Sequence, residues 1–540
     1  MERIAVIGGG IAGLSAGIYA ARNGFDAIVL EQHRVPGGLC TGWRRRGASG
    51  RFTMEGCIHY VLGLTPGSPF HRMWDELGVD RPVVPVDELF TLRHPGGATL
   101  PVCADVEELA RRMRAIAPYD AKAIDRLVSD VRLFARYDIP VDTPAERPQW
   151  NKLRSLGRRY PAFLARFLRC RFTSARAYAR RFRDPLLRWA VARLSGYPDY
   201  PAVWMLMVLS RMHRGEAGYP MGGSLELCYD LEERLLQVGG TIRYGARVVG
   251  LRAAGPGGRD GAAPRSTRGR RVTGVLLADG DMVDCDYLVA AGDLRASLEW
   301  MRDAGMASRA NELMLAALRP GHAVAQVSLG IRNGCAHHGI ARTLDADAAD
   351  SIVLYPRHHD DGAPAHRVVV RQYRRDDSLA PEGCRVVTCQ IETDFDWWAP
   401  LAADSDAYRR AKRDLAARVI ATLDRAWPGI AGCIEVTDVA TPLTTERYTA
   451  NHCGSVHGTR PDRVGFAWPA AARGPRGSHV YFAGHWLCPG GGIHRAAQSG
   501  RYAIQRICAS RGQAFAATGL RDDARSRAAD ALHRAGQSVG

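Results

Sequence analysis

Arg3-Ile4-Ala5-Val6-Ile7-Gly8-Gly9-Gly10-Ile11-Ala12-Gly13-Leu14 is the stretch that decides the fold. A short apolar, β-prone run ends directly on glycines, and an Ala-rich helical run follows to about Asn23. Gly8, Gly10 and Gly13 fit G-x-G-x-x-G. The first glycine permits the tight turn, the second lets the backbone approach a pyrophosphate, and the third lets helix and strand pack closely. This helix, read as Leu14 to Asn23, offers unpaired N–H groups and a partial positive charge at its N-terminus to the phosphates. A second strand, Asp26 to Leu30, ends in Glu31, about 20 residues on, where the fingerprint places an acidic ribose ligand. The negative charge of Glu31 disfavours a 2′-phosphate at this position.

Three further segments extend this unit. Gly37-Gly38 reads as a turn or as a second backbone contact to phosphate. Leu288 to Asp293 is a third strand of the same kind, so the dinucleotide sheet is finished late in the sequence. Near the other end stand Val480 to Gly484, then Gly490-Gly491-Gly492-Ile493 and Gln498-Ser499-Gly500. A nicotinamide enzyme has no use for a second glycine-rich strand-turn-helix so far from the first. A flavin dinucleotide does, because its ring must be held far from its adenine.

Together these segments resemble the phytoene desaturase and carotenoid isomerase-like branch of the FAD-dependent amine-oxidase superfamily. Tyr219-Pro220-Met221-Gly222-Gly223-Ser224, Val248 with Leu251, and Thr441-Pro442-Leu443-Thr444 carry the resemblance across the middle. It implies an α/β chain, α+β overall, with a split Rossmann-type FAD-binding domain and an inserted substrate domain of antiparallel sheet plus helical region. The divisions expected are 1–105, 219–300 and 441–510 for the FAD domain, with a hairpin at 253–271. Residues 106–218 form a helical substrate region, 301–440 a domain with antiparallel strands, and 511–540 a polar tail. The resemblance implies non-covalent FAD held by Gly8, Gly10, Ile11, Ala12, Gly13, Glu31, Gly37, Gly38, Val248, Gly484, Gly491, Gly492 and Ile493. Val248 would meet the adenine, and the last three would sit by the pyrimidine edge of the flavin. Two departures stand out: Leu39-Cys40 follow the glycine pair where an Arg is usual, and Met54-Glu55-Gly56 replaces aromatic-Asp-Gly.

The activity implied is FAD-dependent oxidoreduction at carbon–carbon bonds of a large apolar polyene or isoprenoid, in bacterial secondary metabolism or carotenoid biosynthesis. Desaturation, reduction, isomerisation and reductive cyclisation, by hydride transfer at flavin N5, all stay open. No second nucleotide fingerprint is visible, so NADPH is expected only as a transient reductant reaching the flavin through the substrate cleft. Three polar clusters are placed to approach the ring: Glu55, Cys57, His59 and Tyr60; Thr445, Arg447, Tyr448 and His452; and His485 with His494. Glu55 and His59 are the expected acid/base pair. Flavin amine oxidation is disfavoured, because the only lysines are Lys122, Lys152 and Lys412, and none falls in the expected sheet. A non-catalytic, flavin-binding protein of the membrane surface is the alternative from another class.

Composition narrows the partners. The 540 residues carry a formal charge of +17, with the cations almost all arginine. Twelve arginines crowd residues 152–193, interleaved with aromatic and apolar residues at helical spacing. This stretch reads first as the arginine-rich outside of a helical domain, and second as a face for peripheral contact with an anionic membrane. Nucleic acid is not expected, since no recognition module accompanies it. The 13 cysteines show no C-x-x-C pair and no metal spacing, so no metal is expected and the thiols read as reduced. A cytoplasmic protein is expected, with peripheral contact at the inner face of the membrane as the alternative. Oligomeric state is not legible.

Overall fold

The computed structural model describes residues 1–142, 154, 156–194, 196–255, 269–333, 350–355, 367–460, 474–488 and 490–518. Its centre is a five-stranded parallel sheet in the order Thr241–Arg243, Asp26–Leu30, Arg3–Ile7, Tyr287–Ala290, Val480–Phe482. Both faces are covered, which is why its strands read as unbroken apolar runs. Ile4 and Val6 pack with Leu14, Ile18, Leu231, Leu235, Ile504 and Ile507 from three helices, Ile11–Arg22, Gly223–Gln237 and Ile493–Ser510. Ala5 and Ile7 face the other way, onto Val272, Val275, Leu294 and Leu298. That second layer is a three-stranded meander, Val248–Ala254, Arg271–Leu277 and Met282–Asp284, with the helix Leu294–Asp303.

The first and last helices cross where Gly500 lies against the backbone. A Cβ at Gly500 would stand 2.3 Å from the Ala12 carbonyl oxygen. Ser15 Oγ donates to the Ala497 carbonyl at 2.8 Å across the same crossing. Alongside, the guanidinium of Arg501 donates from Nε to Glu76 at 2.8 Å, both side chains being buried. Tyr19 adds a hydroxyl to the same carboxylate at 2.6 Å.

A seven-stranded sheet forms the substrate side, in the order Ile434–Ala440, Ala323–Arg332, Cys384–Thr393, Val368–Arg371, Ser351–Leu354, Glu88–Arg93, Thr99–Cys103. All neighbours are antiparallel except Ser351–Leu354 with Glu88–Arg93. Alternation divides its residues cleanly. Ala325, Val327, Leu329, Ile352, Val368, Val370, Cys389 and Ile391 pack against Leu415, Val419 and Leu423 of the long helix Ser405–Ala426. The opposite set, including Phe90, Leu92, Val353, Val369, Arg371 and Gln390, faces a cavity.

The run Thr241 to Leu251 is divided between two strands in different sheets. Tyr244-Gly245 breaks it, with Gly245 at φ +69°. The basic stretch is not one amphipathic helix. Ser174 and Asp184 cap new helices through their side chains, with Pro185 in the first turn, so Pro161–Arg171, Ala175–Ala179 and Pro185–Val191 are separate. Their apolar residues Phe163, Tyr178, Phe182 and Leu187 are buried in the helical core with Leu109, Leu127 and Leu206. Leu168 and Phe172 remain exposed. The hairpin at 253–271 is anchored by pairing of Ala254 with Arg271; its tip lies outside the described residues, as does most of the tail. Among the described residues, no helix is long and apolar enough to cross a membrane.

Candidate active site

One cavity of about 1600 Å³ runs from the first glycine turn to the seven-stranded sheet. A single small-molecule site occupies ~300–1,000 Å³, so this volume has room for a dinucleotide and a second ligand. Its first end is built by two turns locked together. Gly37 N donates to the Gly9 carbonyl at 2.8 Å, and Gly38 approaches Gly10 so closely that a Cβ would stand 3.4 Å from its Cα. Gly13 tolerates no side chain, because its Cβ would lie 1.8 Å from the Gly8 carbonyl oxygen. Gly8, Gly10, Ile11 and Ala12 line the cavity, as do Glu31, Gly37 and Gly38. Gly13 lies behind them.

Glu31 is buried at the end of its strand. Its Oε2 accepts from Gly9 N at 2.6 Å and its Oε1 from His33 N at 2.8 Å. Burial pushes its carboxyl up, and these N–H groups oppose the shift. Each oxygen keeps acceptor capacity for a ribose hydroxyl. Val248 borders the same end with Ala246 and Arg247. Asp293, unremarked in the sequence beyond ending its strand, also lines the cavity. It caps the helix Leu294–Asp303 and accepts from His452 N at 2.9 Å.

The far wall is the start of the last helix. Gly491 and Gly492 are left-handed, at φ +68° and +112°, and turn the chain so that the helix begins at Ile493 facing the cavity. Gly484 lines it too and is fixed by its N–H to Ser499 Oγ at 2.7 Å. The first N–H groups of this helix have no intrahelical acceptor, and such an end stabilises negative charge. Two backbone turns for phosphates, an acidic residue for ribose and a distant helix N-terminus fit an extended flavin dinucleotide.

The expected acid/base pair is separated. His59 and Tyr60 line the cavity and meet edge-to-face at 4.6 Å. Glu55 does not line it. Its Oε1 accepts from Cys57 N at 2.7 Å, Ile58 N at 2.8 Å and the Ser224 hydroxyl, and its Oε2 accepts from Ser224 N at 2.7 Å. It is a buried carboxylate held at the N-terminus of the helix Gly223–Gln237. Its physical effect is to fix the turn that carries His59. Burial raises its carboxyl, against those hydrogen bonds. His59 is exposed, and the surface it exposes lines the cavity, with protein packed around it. Desolvation by that packing, with the Arg371 charge, holds its pKa well below the usual range.

Three more histidines line the same space. Burial lowers His457 and His485 to about 4 and His494 to about 3. All are neutral imidazoles near pH 7, and His485 Nε2 is buried without a hydrogen-bond partner. From the other polar cluster, Arg447 borders the cavity, whereas Thr445, Tyr448 and His452 do not. No lysine lines it among the described residues. Lys412 lies on the helix behind the sheet, over the Tyr408 ring.

The substrate end was missed by sequence reasoning. Tyr197, Tyr200, Trp204, Tyr355 and Phe90 wall it, with Arg367, Arg371 and Gln390 among them. Tyr197 stacks on Tyr200 at 4.4 Å and on His322 at 4.3 Å. A signal existed in Val368-Val369-Val370-Arg371, where alternation places Val369 and Arg371 on one face.

Residues 6–77 match the model of an NAD(P)-binding Rossmann-like domain. The 4,4'-diaponeurosporene oxygenase of Staphylococcus aureus strain MSSA476 is 23% identical over 527 residues, covering 94% of this chain and 98% of that protein. The 4,4'-diapolycopene oxygenase of a Methylomonas species is 24% identical over 546 residues, with the same coverage of both. Among solved structures, an engineered putrescine oxidase aligns with TM-score 0.58 at 14% identity, covering 94% of this chain and 99% of that one. That likeness concerns the fold alone; with the cofactor cradle and the full-length relatives, it supports a phytoene desaturase-like chain of the FAD-dependent oxidoreductase kind.

Proposed function

We propose that the protein changes the oxidation level or geometry of carbon–carbon bonds in a long, conjugated, mainly apolar polyene. The observation that carries this reading is the continuity of the cavity. The cofactor cradle opens without a partition into a chamber walled by Phe90, Leu92, Tyr197, Tyr200, Trp204 and Tyr355. Flat aromatic walls suit a conjugated chain, because ring faces and edges pack against π-systems beyond simple area burial. The relatives' names, which concern diaponeurosporene and diapolycopene, support the same substrate class.

FAD supplies the two-electron exchange when bound. The residues of this chain do the rest. The sheet face and the helix Ala202–His213 hold the polyene in register and exclude water. Trp204 lies against Gly490, where a Cβ would approach its ring to 2.6 Å, so the substrate wall and the flavin turn are in contact. His59 and Tyr60 present polar atoms into the chamber, on a turn fixed by Glu55. His59, neutral at pH 7, is suited to accept or relay a proton.

Anaerobic titration of the flavin-loaded protein tests the reading. Bleaching by NADPH alone assigns reduction or reductive cyclisation, with NADPH as transient reductant. A flavin that bleaches only when a polyene is added assigns desaturation. A flavin that responds to neither, with the polyene also recovered unchanged in double-bond geometry, sinks the catalytic reading and favours a flavin-binding protein without turnover. Peripheral membrane contact is a second proposal, favoured by exposed Leu168 and Phe172 beside Arg169 and Arg171. Its check is co-sedimentation with anionic vesicles, expected to weaken with salt.

A further inference from the structure

Four arginines border the substrate side of the cavity: Arg193, Arg211, Arg367 and Arg371. Three are occupied. Arg193 donates to the Trp189 carbonyl at 3.2 Å and lies 4.8 Å over the Trp189 ring. Arg211 donates to the carbonyls of Phe134 and Tyr137 at 2.8 and 2.7 Å and faces Glu216 at 3.4 Å. Arg367 donates to the Gly196 carbonyl at 2.7 Å, lies 4.5 Å over Tyr197 and faces Glu392 at 3.8 Å.

Arg371 differs. It is only 7% exposed, its Nε has no hydrogen-bond partner, and no hydrogen bond or ion pair among the described residues uses its guanidinium. It ends the strand Val368–Arg371 on the cavity face, opposite Ser351 on one neighbour and Thr388 on the other. The titratable groups that feel its charge are Cys57, His59, Tyr60, Tyr373 and His457, none of them anionic near neutral pH. A buried, unpaired guanidinium is costly. An arginine kept in that state beside a cavity is complementary to an anion that enters it, and its planar fork matches a carboxylate in two parallel hydrogen bonds.

We propose that Arg371 receives an acidic head group, a carboxylate or an acidic enol, at one end of the polyene. The substrate is then an amphiphile with a long apolar body and one anionic terminus, not a pure hydrocarbon. The apolar body lies along Val369, Val353, Leu92 and Phe90, which share the Arg371 face of the sheet. Anchoring one end fixes which double bonds reach the ring, so Arg371 sets regiochemistry by binding. This inference rests on the polyene reading and adds the charge.

Binding of all-trans-retinoic acid and of its methyl ester to the flavin-loaded protein tests it, read by tryptophan quenching and by the flavin spectrum. The acid is expected to bind about tenfold more tightly than the ester, as one charge-assisted contact supplies. Arg371→Met is expected to remove that preference by weakening the acid alone, and Arg371→Lys to keep part of it. The lysine variant, which retains the charge, answers the question if the methionine variant does not fold. Equal binding of acid and ester by the wild type refutes the head group and leaves the polyene reading standing. Failure of both probes to bind refutes the polyene reading and this inference with it. Loss of flavin in Arg371→Met with the acid preference intact assigns Arg371 to the cofactor and overturns the proposal.

Discussion

Glu55 is a buried acid and His494 a half-buried base lining the cavity, and each carries a separate prediction. Four donors converge on the Glu55 carboxylate. Glu55→Gln places an NH₂ group against N–H donors and removes the charge. A loss of about 2 kcal/mol is expected, typical of a hydrogen-bonded charged group, with flavin content falling in step. The residual activity should keep the wild-type pH profile. A correctly folded variant that loses one ionisation from that profile would restore Glu55 as the proton donor. His494 is held near 3 in the folded protein by burial and by Arg495, against about 6.5 when unfolded. Between those values the unfolded chain binds the extra proton, so this histidine's contribution to stability rises with pH through the window and is flat above it. Denaturant unfolding of wild type and His494→Gln at pH 5 and 7.5 should show wild type gaining on the variant at the higher pH. An unchanged difference would mean that the imidazole is not shielded as described.

At the scale of elements, the last helix is tied to its neighbours by a buried ion pair. Arg501 and Glu76 are both buried and joined through Nε and Nη2, with Tyr19 on the same carboxylate. Removing Glu76 leaves the buried Arg501 guanidinium only the exposed Asp142 carboxylate, at 3.1 Å, so Glu76→Gln should cost ~3 kcal/mol. The pair Glu76→Leu with Arg501→Leu should cost less than either single change, and equilibrium unfolding of the three variants decides it. The parallel strands and helices were legible in the sequence, because strand, glycine turn and helix are neighbours along the chain. The basic stretch was not legible as three helices. Its periodicity outweighed the caps at Ser174 and Asp184, and nothing local announces that Phe163 and Phe182 are buried in the helical core. The cofactor end of the site was written in glycines, since backbone turns admit few alternatives. The substrate end was not, because Arg371, His59, Tyr197 and Trp204 come together only through long-range sheet and helix packing.

On the scale of the whole molecule, the cofactor site is assembled from both ends of the chain. The fifth strand of the parallel sheet, Val480–Phe482, and the helix Ile493–Ser510 both arrive late. A chain stopped after residue 478 lacks both and is expected to bind no flavin, although every residue of the first fingerprint is present. Flavin absorbance of the purified fragment checks this, and a stoichiometric flavin band would show that the first turn suffices. The crossing at Gly500 sets an order of events during synthesis. The phosphate turn leaves the ribosome well ahead of Gly500, so the helix it opens waits for its packing partner until residue 500 has been added. At about 5–20 residues per second, that interval is roughly 25–100 s. Throughout it, the small-residue face of Ala12, Ser15 and Ala16 has no helix to cover it. Flavin capture is then a late checkpoint, and abundant vitamin in the cell does nothing for a chain that has not yet reached residue 500.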